Sequence, residues 1–312
     1  MIRVYAFEPI TLLDEKVQQA MESLGFDHGR FIAAIPKSWR KKVLELYKSK
    51  VSQDKDFEIF LERLWKKRIV VNVQSNHAEN VRWIDSAISS SPSHLHGIIC
   101  DENTKSTISD CRIMSRRDLH DDHPIWKIKA NDRVNRSSKE MAECLRVLLR
   151  YSSTLSFIDP FLFGSKKHLA FIEACIRIVA EEKLNRFERL EFHQKYDVRK
   201  SSSSGGGRSV ESDNRVKEEF DRFVDKVRKI VGIECFKNVH FYCWNTVDGG
   251  ERFHERYVAT DRGMFDFTGG LDEGQKGQKT PVNRMDEKFR QEIEQLFLEG
   301  TSAFELIFKK LM

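Results

Sequence analysis

Apolar positions follow two spacings along this chain, and the switches between them mark its elements. Residues 2–8 (IRVYAFE), 69–73 (IVVNV) and 94–100 (HLHGIIC) are short apolar runs of strand length. Residues 29–35 (GRFIAAI) form a further apolar run that stops at Pro36. Residues 12–24, 38–49 and 54–67 follow helical spacing, and Phe57, Phe60, Leu61 and Leu64 fall on one stripe. WIDSAI at 83–88 predicts a short helix. Strands alternating with helices predict an α/β region. Residues 101–136 lack a clear period. DENTKST reads as a loop, CRIMS as a strand, and HDDHPIWKI as part of an interdomain connection or long surface loop.

The second half is more regular. Ser137 or Ser138 caps a predicted helix over 139–150. LSFIDPFLF at 155–163 predicts a strand that stops at Pro160. A helix over 166–184 and an alternating strand, LEFHQKY at 190–196, follow. SSSSGGG at 201–207 sits in a segment, 199–212, expected to be flexible. Asp213 then caps a helix with Val216, Phe220, Phe223, Val224, Val227 and Val231 on one side. VHFYCW at 239–244, RFHERYVAT at 252–260 and MFDFTG at 264–269 predict three strands. DGGE is expected to be a hairpin turn between the first two, and DRG the turn before the third. A last helix is expected over about 284–299. The order predicts a smaller α/β domain over 1–135 and a second α/β domain over 136–312, with βαβα, a β-meander and a helix.

Composition narrows the function classes. The chain has 312 residues, 40% of them hydrophobic, including 22 phenylalanines, which is enough for a sizeable core. The net charge of +5 permits an anionic partner without requiring one. The basic runs KSWRKK and LWKKR suit backbone phosphates, and equally suit solvated helix ends. No secretion-signal pattern and no apolar stretch of roughly 18 residues is present, so a cytoplasmic protein without a membrane span is expected. The six cysteines include no C-x2-C pair, so reduced thiols are expected, with no metal site and no cofactor. His120, Asp121, Asp122 and His123 are adjacent residues and read better as a solvated loop than as ligands of one ion. His94 and His96 suit a second site or a polar sheet face.

The segment FHERYVATDRGMFDFTGGLDEG, from Phe253 to Gly274, carries the densest chemistry. His254 and Arg256 are two apart in a predicted strand and therefore share a face. Asp261 ends that strand. A histidine can attack phosphorus, a cation beside it can neutralise the non-bridging oxygens, and an aspartate behind it can fix its tautomer. The same residues can also hold a phosphate without reacting. Gly269 and Gly270 allow close backbone approach, and Asp272 follows them. Asp159 ends an apolar strand, where open α/β sheets place ligands. Its plainer reading is a turn at Pro160. His193 and Lys195 share a face of the neighbouring predicted strand. They line a phosphate groove or decorate an exposed edge. Glu255 points away from His254 in a regular strand.

These residues carry a resemblance. His254, Arg256 and Asp261 resemble the H-x-K-x4-D signature of the phospholipase D superfamily, with arginine in the lysine position. Gly269, Gly270, Leu271 and Asp272 stand where that superfamily has a glycine-rich segment. The Gly-Leu-Asp ending and FIDPF at 157–161 resemble a branch that includes bacterial phage-defence-type proteins and the domain that follows microtubule-interacting and trafficking modules. The resemblance covers about 140–312. It implies an α-β-α sandwich with a mixed sheet. It also implies a metal-independent phosphodiesterase, foremost a nuclease, with His254 as nucleophile and Arg256 stabilising phosphate charge. The signature occurs once, so a homodimer joining two His254 side chains is implied. DNA or RNA is the implied partner, with an accessory defence protein. A noncatalytic phosphate- or nucleic-acid-binding module of the same fold is the alternative. A lipid phosphodiesterase is a third.

Overall fold

Apolar runs of strand length pair side by side in both halves of the chain. The structure is a computed structural model that describes residues 1–50, 55–73, 81–90, 94–164, 166–182, 187–196, 210–230, 235–247, 249–254, 256–297 and 303–312. It divides into two units, Met1–Ala130 and Asn131–Met312. The segment 199–212 lies largely outside the described residues, as do Glu255 and the Asp213 side chain.

The smaller, N-terminal unit is a wholly parallel sheet. Its strands are β1 (Arg3–Phe7), β2 (Arg30–Ala34), β3 (Val70–Asn72), β4 (Gly97–Ile99) and β5 (Ile113–Met114), in the order β3-β2-β1-β4-β5. Helices α1 (Glu15–Met21), α2 (Trp39–Lys50), α3 (Lys55–Lys66), α4 (Trp83–Ile88) and α5 (Glu102–Thr107) connect them. The parallel strands are buried on both faces, so they read as continuous apolar runs. The expected loop DENTKST is instead α5. The Asp101 carboxylate accepts from Asn103 N at 2.8 Å and Thr104 N at 3.1 Å, which caps it. The stretch around HDDHPIW is no loose connection. Trp126 is buried, Arg30 lies 4.6 Å over its ring, and Tyr5 Oη donates to the Ile125 carbonyl at 2.7 Å.

The larger unit is a mixed sheet with helices on both faces. Its elements are β6 (Asn131–Asn135), α6 (Ser138–Tyr151), β7 (Thr154–Ile158), α7 (Lys166–Glu182), β8 (Phe187–Lys195), α8 (Val210–Ile230) and β9 (Phe236–Thr246). Then come β10 (Tyr257–Thr260), β11 (Gly263–Phe267), β12 (Lys279–Arg284), α9 (Glu287–Leu296) and β13 (Phe304–Leu311). The strand order is β13-β9-β8-β7-β10-β11-β12-β6. β7, β8 and β9 are parallel, and the other pairings are antiparallel.

Alternation divides the core. Phe157, Phe192 and Phe241 face α7 and α8, where they meet Phe171 and Phe223. Ile158, Tyr242, Trp244, Tyr257 and Met264 face the other way, against Phe289, Ile293 and Phe297 of the α9 segment. The expected hairpin at DGGE does not form. β9 pairs with β8 and β13, while β10 pairs with β7 and β11. The meander is β10-β11-β12, one strand later than the apolar pattern indicates.

Candidate functional site

The site gathers at one edge of the larger sheet, outside the carboxyl ends of β7 and β8, where open α/β sheets leave a crevice. β7 stops because Pro160 carries no N–H for the ladder. The chain is held there by Asp159, which is fully buried. Its N–H donates to the His193 carbonyl at 3.1 Å. Its Oδ1 accepts from Phe161 N at 2.8 Å, and its Oδ2 accepts from Leu271 N at 3.2 Å. The same Oδ2 lies 3.5 Å from His168 Nε2 and 3.8 Å from Arg256 Nε. One carboxylate thus ties the end of β7 to the first turn of α7, to the start of β10 and to the glycine loop. Such a convergence keeps a buried carboxylate tolerable, because a guanidinium, an imidazole and backbone N–H donors surround it.

The strand carrying the motif is shorter than its sequence pattern. β10 begins at Tyr257, not at residue 252. β7 has ended beside it. On the other side the last link is Phe267 N to the Arg256 carbonyl, at 2.9 Å, before β11 turns away. Among the described residues, 251–254 lie outside the strands, and His254 is exposed there. Asp261 is at the other end of β10. Its carboxylate accepts from Ser153 N at 2.8 Å, Ser153 Oγ at 2.9 Å and Thr154 N at 3.2 Å. It fastens the β10–β11 turn to the start of β7, and it does not stand behind His254 as the sequence pattern suggests.

The glycine segment forms a tight loop held from beneath. Gly270 has φ +107°, a conformation only glycine adopts without strain. A Cβ there would lie 2.9 Å from Arg136 Nη2, 2.7 Å from Asp272 Oδ1 and 3.5 Å from Arg256 Cδ. Arg136 and Arg256 therefore both approach the same glycine. Arg136 donates to the Asp272 carbonyl oxygen at 3.0 Å and forms an ion pair with the Asp272 carboxylate. Its own carbonyl accepts from Gly274 N at 2.8 Å. The loop N–H groups are already used: Gly269 N donates to Thr280 Oγ1, Gly270 N to Phe267 O, and Leu271 N to Asp159. The bend thus gives little of the backbone anion cradle expected of it, because these N–H donors already have acceptors.

His193 is not brought to this cluster. It is buried on the α9 face, where Trp244 Nε1 donates to its Nδ1 at 3.1 Å and the Tyr242 ring stacks on it at 4.8 Å. Asp159 and Arg256 lie toward α7, on the opposite face. Lys195 shares the His193 face and is half-buried at the end of β8. Glu191, beside His193, is held low. Burial would raise its pKa, but His193, Arg189 and the Ser156 hydroxyl outweigh burial and bring it to about 2.

Arg136 and His168 belong to the candidate site and escape the sequence reading, which names Phe161 only as the end of FIDPF. Arg136 stands at the expected domain boundary, and His168 in the first turn of a helix. Its only sequence signal is the cationic run Lys166–Lys167 before it. His168 is buried, and its Nδ1 has no hydrogen-bond partner. Among the described residues, no group of three or more His, Cys, Asp or Glu is placed to hold a metal ion. The HDDH stretch is split: Asp121 pairs with Arg30 at 3.0 Å, and His123 lies 3.9 Å from Asp118. His96 is also used internally, its Nδ1 accepting from Val4 N at 3.1 Å. Among the described residues, no helix is long and apolar enough to cross a membrane.

Compared with known proteins, the sequence matches no protein family and no curated protein. Among solved structures, it is similar to TrmBL2, an archaeal chromatin protein described as showing a novel mode of DNA binding. Identity is 8%, the match covers 88% of this chain and 72% of that one, and the TM-score is 0.28. A likeness at that TM-score carries no argument about fold or function.

Proposed function

We propose that the C-terminal domain is a noncatalytic phosphate-binding module for nucleic acid, with a phospholipase D-like fold. The observation that carries this reading is the convergence of Arg136 and Arg256 on Gly270, where both lie within 3.5 Å of the position a Cβ would take. Asp159 and Asp272 hold the two guanidiniums in place. A guanidinium has five N–H donors, so the two contacts of Arg136 to Asp272 and the single contact of Arg256 to Asp159 leave others for phosphate oxygens. The mixed sheet with helices on both faces, the Asp-Pro-Phe strand end and the Gly-Leu-Asp loop support the fold assignment.

A nuclease remains the second reading, and one observation favours it: His254 is exposed two residues from Arg256. That reading requires two copies of the chain to bring two His254 side chains together. The defence role and an accessory protein belong with it.

Fluorescence anisotropy with a labelled oligonucleotide tests the proposal. Arg256→Gln is expected to weaken binding about tenfold and to lower the salt dependence by about one phosphate. His254→Ala is expected to leave binding intact. Absence of binding by the wild type, or an Arg256→Gln variant that binds equally well, overturns the module. Cleavage by the wild type that disappears in His254→Ala establishes the nuclease instead.

A further inference from the structure

The chain contains 22 phenylalanines, five tryptophans and six tyrosines, all in described positions, and one of these side chains, Phe161, is exposed. It is 47% exposed. The exposure is built in. Its N–H is held by Asp159 Oδ1 at 2.8 Å, and Leu162 N donates to the Asp159 carbonyl at 3.3 Å. Leu162 and Phe163 are buried, and Phe163 packs 4.6 Å from Phe223 and 5.3 Å from Phe220. The turn after Pro160 sends those two side chains into the core and leaves the ring of Phe161 outside. The Arg256 guanidinium lies 5.8 Å from the centre of that ring. Lys166 and Lys167, exposed at the start of α7, follow five and six residues later.

We propose that Phe161 is a stacking platform for an unpaired base, so that single-stranded nucleic acid is the ligand of the Arg136–Arg256 site. The inference rests on the phosphate-binding reading above and names its substrate class. A nucleotide carries a flat π-face one sugar away from its phosphate. An exposed ring beside a guanidinium presents the complementary pair, because base–aromatic stacking and phosphate neutralisation are the two terms of single-strand binding. A duplex keeps its bases stacked inside and offers the ring nothing. A lone ring beside a guanidinium also differs from the broad apolar patch of a protein or lipid docking surface.

The test compares three probes of about 12 nucleotides, within the span of a single-strand site. They are a labelled DNA single strand, the same sequence as a duplex, and an abasic deoxyribose-phosphate chain. Wild type, Phe161→Ala, Phe161→Tyr and Arg256→Gln are titrated at one salt concentration. Phe161→Ala is expected to weaken the single strand tenfold or more and to leave the abasic chain unchanged. Phe161→Tyr is expected to restore binding. An exposed side chain makes these substitutions compatible with folding, and thermal melts check it. Equal affinity of wild type for single strand and abasic chain, preference for the duplex, or unchanged single-strand binding by Phe161→Ala overturns the proposal. If Arg256→Gln weakens all three probes while Phe161→Ala changes none, the phosphate site stands and the stacking role falls. If the wild type binds none, both fall.

Discussion

Asp159 is the joint on which the site depends, and replacing it by asparagine separates its shape from its charge. The carboxamide has nearly the same size but one acceptor oxygen instead of two. The carboxylate serves two backbone donors, Phe161 N through Oδ1 and Leu271 N through Oδ2. With asparagine, one of those buried N–H groups faces an NH2 and loses its acceptor. An unsatisfied buried donor costs about 1–3 kcal/mol. The Phe161 contact is shorter and lies two residues away in the same turn, so the asparagine oxygen is expected to stay there. The loss then falls on Leu271, which is fully buried. Asp159→Ala removes both acceptors and leaves two buried donors unsatisfied, a change of about 2–6 kcal/mol.

Amide hydrogen exchange over residues 268–278 reads this locally. A loss of about 1–3 kcal/mol in Asp159→Asn corresponds to roughly 5- to 150-fold faster exchange of the Leu271 amide. The alanine variant is expected to expose the whole loop and lower the thermal midpoint. Leu271 exchange that stays within about twofold of wild type in both variants refutes the claim that Asp159 pins the loop.

Three further outcomes follow from the same contacts. Gly270→Ala is expected to lose about 1–3 kcal/mol through its positive φ and the approach to Asp272 and Arg136, and to weaken phosphate binding; denaturation and anisotropy that match wild type count against the loop geometry. Asp261→Ala is expected to cost about 1–3 kcal/mol in denaturation, since it frees Ser153 N and Thr154 N, while nucleic-acid affinity stays unchanged; a binding defect equal to that of Arg256→Gln would return Asp261 to the site. Glu191, with its pKa lowered to about 2, stabilises the fold above the usual carboxylate range, and that contribution, roughly 3 kcal/mol, is lost as the pH falls from about 5 through 2. Glu191→Gln is expected to flatten this part of the acid-stability profile, and an unchanged profile is the contrary result.

Elements with strong local signals were legible. α6, with Ser137 accepting from Glu140 N at 3.3 Å, and the parallel strands of the N-terminal unit follow their apolar patterns. Three strands were not. β6 (NDRVN) is a largely exposed edge strand without apolar alternation, and β12 carries Pro281. Nothing in their own residues identifies them, because their pairing is supplied by β11 and by each other. β13 (FELIFKKL) has apolar positions but alternates poorly, and its register shifts between Leu306 and Phe308 where it meets β9.

The site divides along the same line. Its local part, Asp159 with the turn at Pro160 and the glycine pair before Leu271, was visible because Pro and Gly punctuate a chain in ways that do not depend on partners. Its long-range part was invisible. Arg136 meets Asp272 across a separation of 136 residues, and His168 meets Asp159 only because α7 folds back over β7. Charge complementarity of this kind leaves no spacing in the sequence. The misplacements have the same origin. His254 and Asp261 read as one unit because a regular strand links them, yet a strand of this length separates its ends. The neighbours distinguish the two ends: β7 stops beside the start of β10, where His254 is exposed, while Ser153 and Thr154 bind Asp261 into the opposite edge. A motif of correct spacing therefore locates a strand, and the strands beside it determine which of its residues are exposed and which are bound into the sheet.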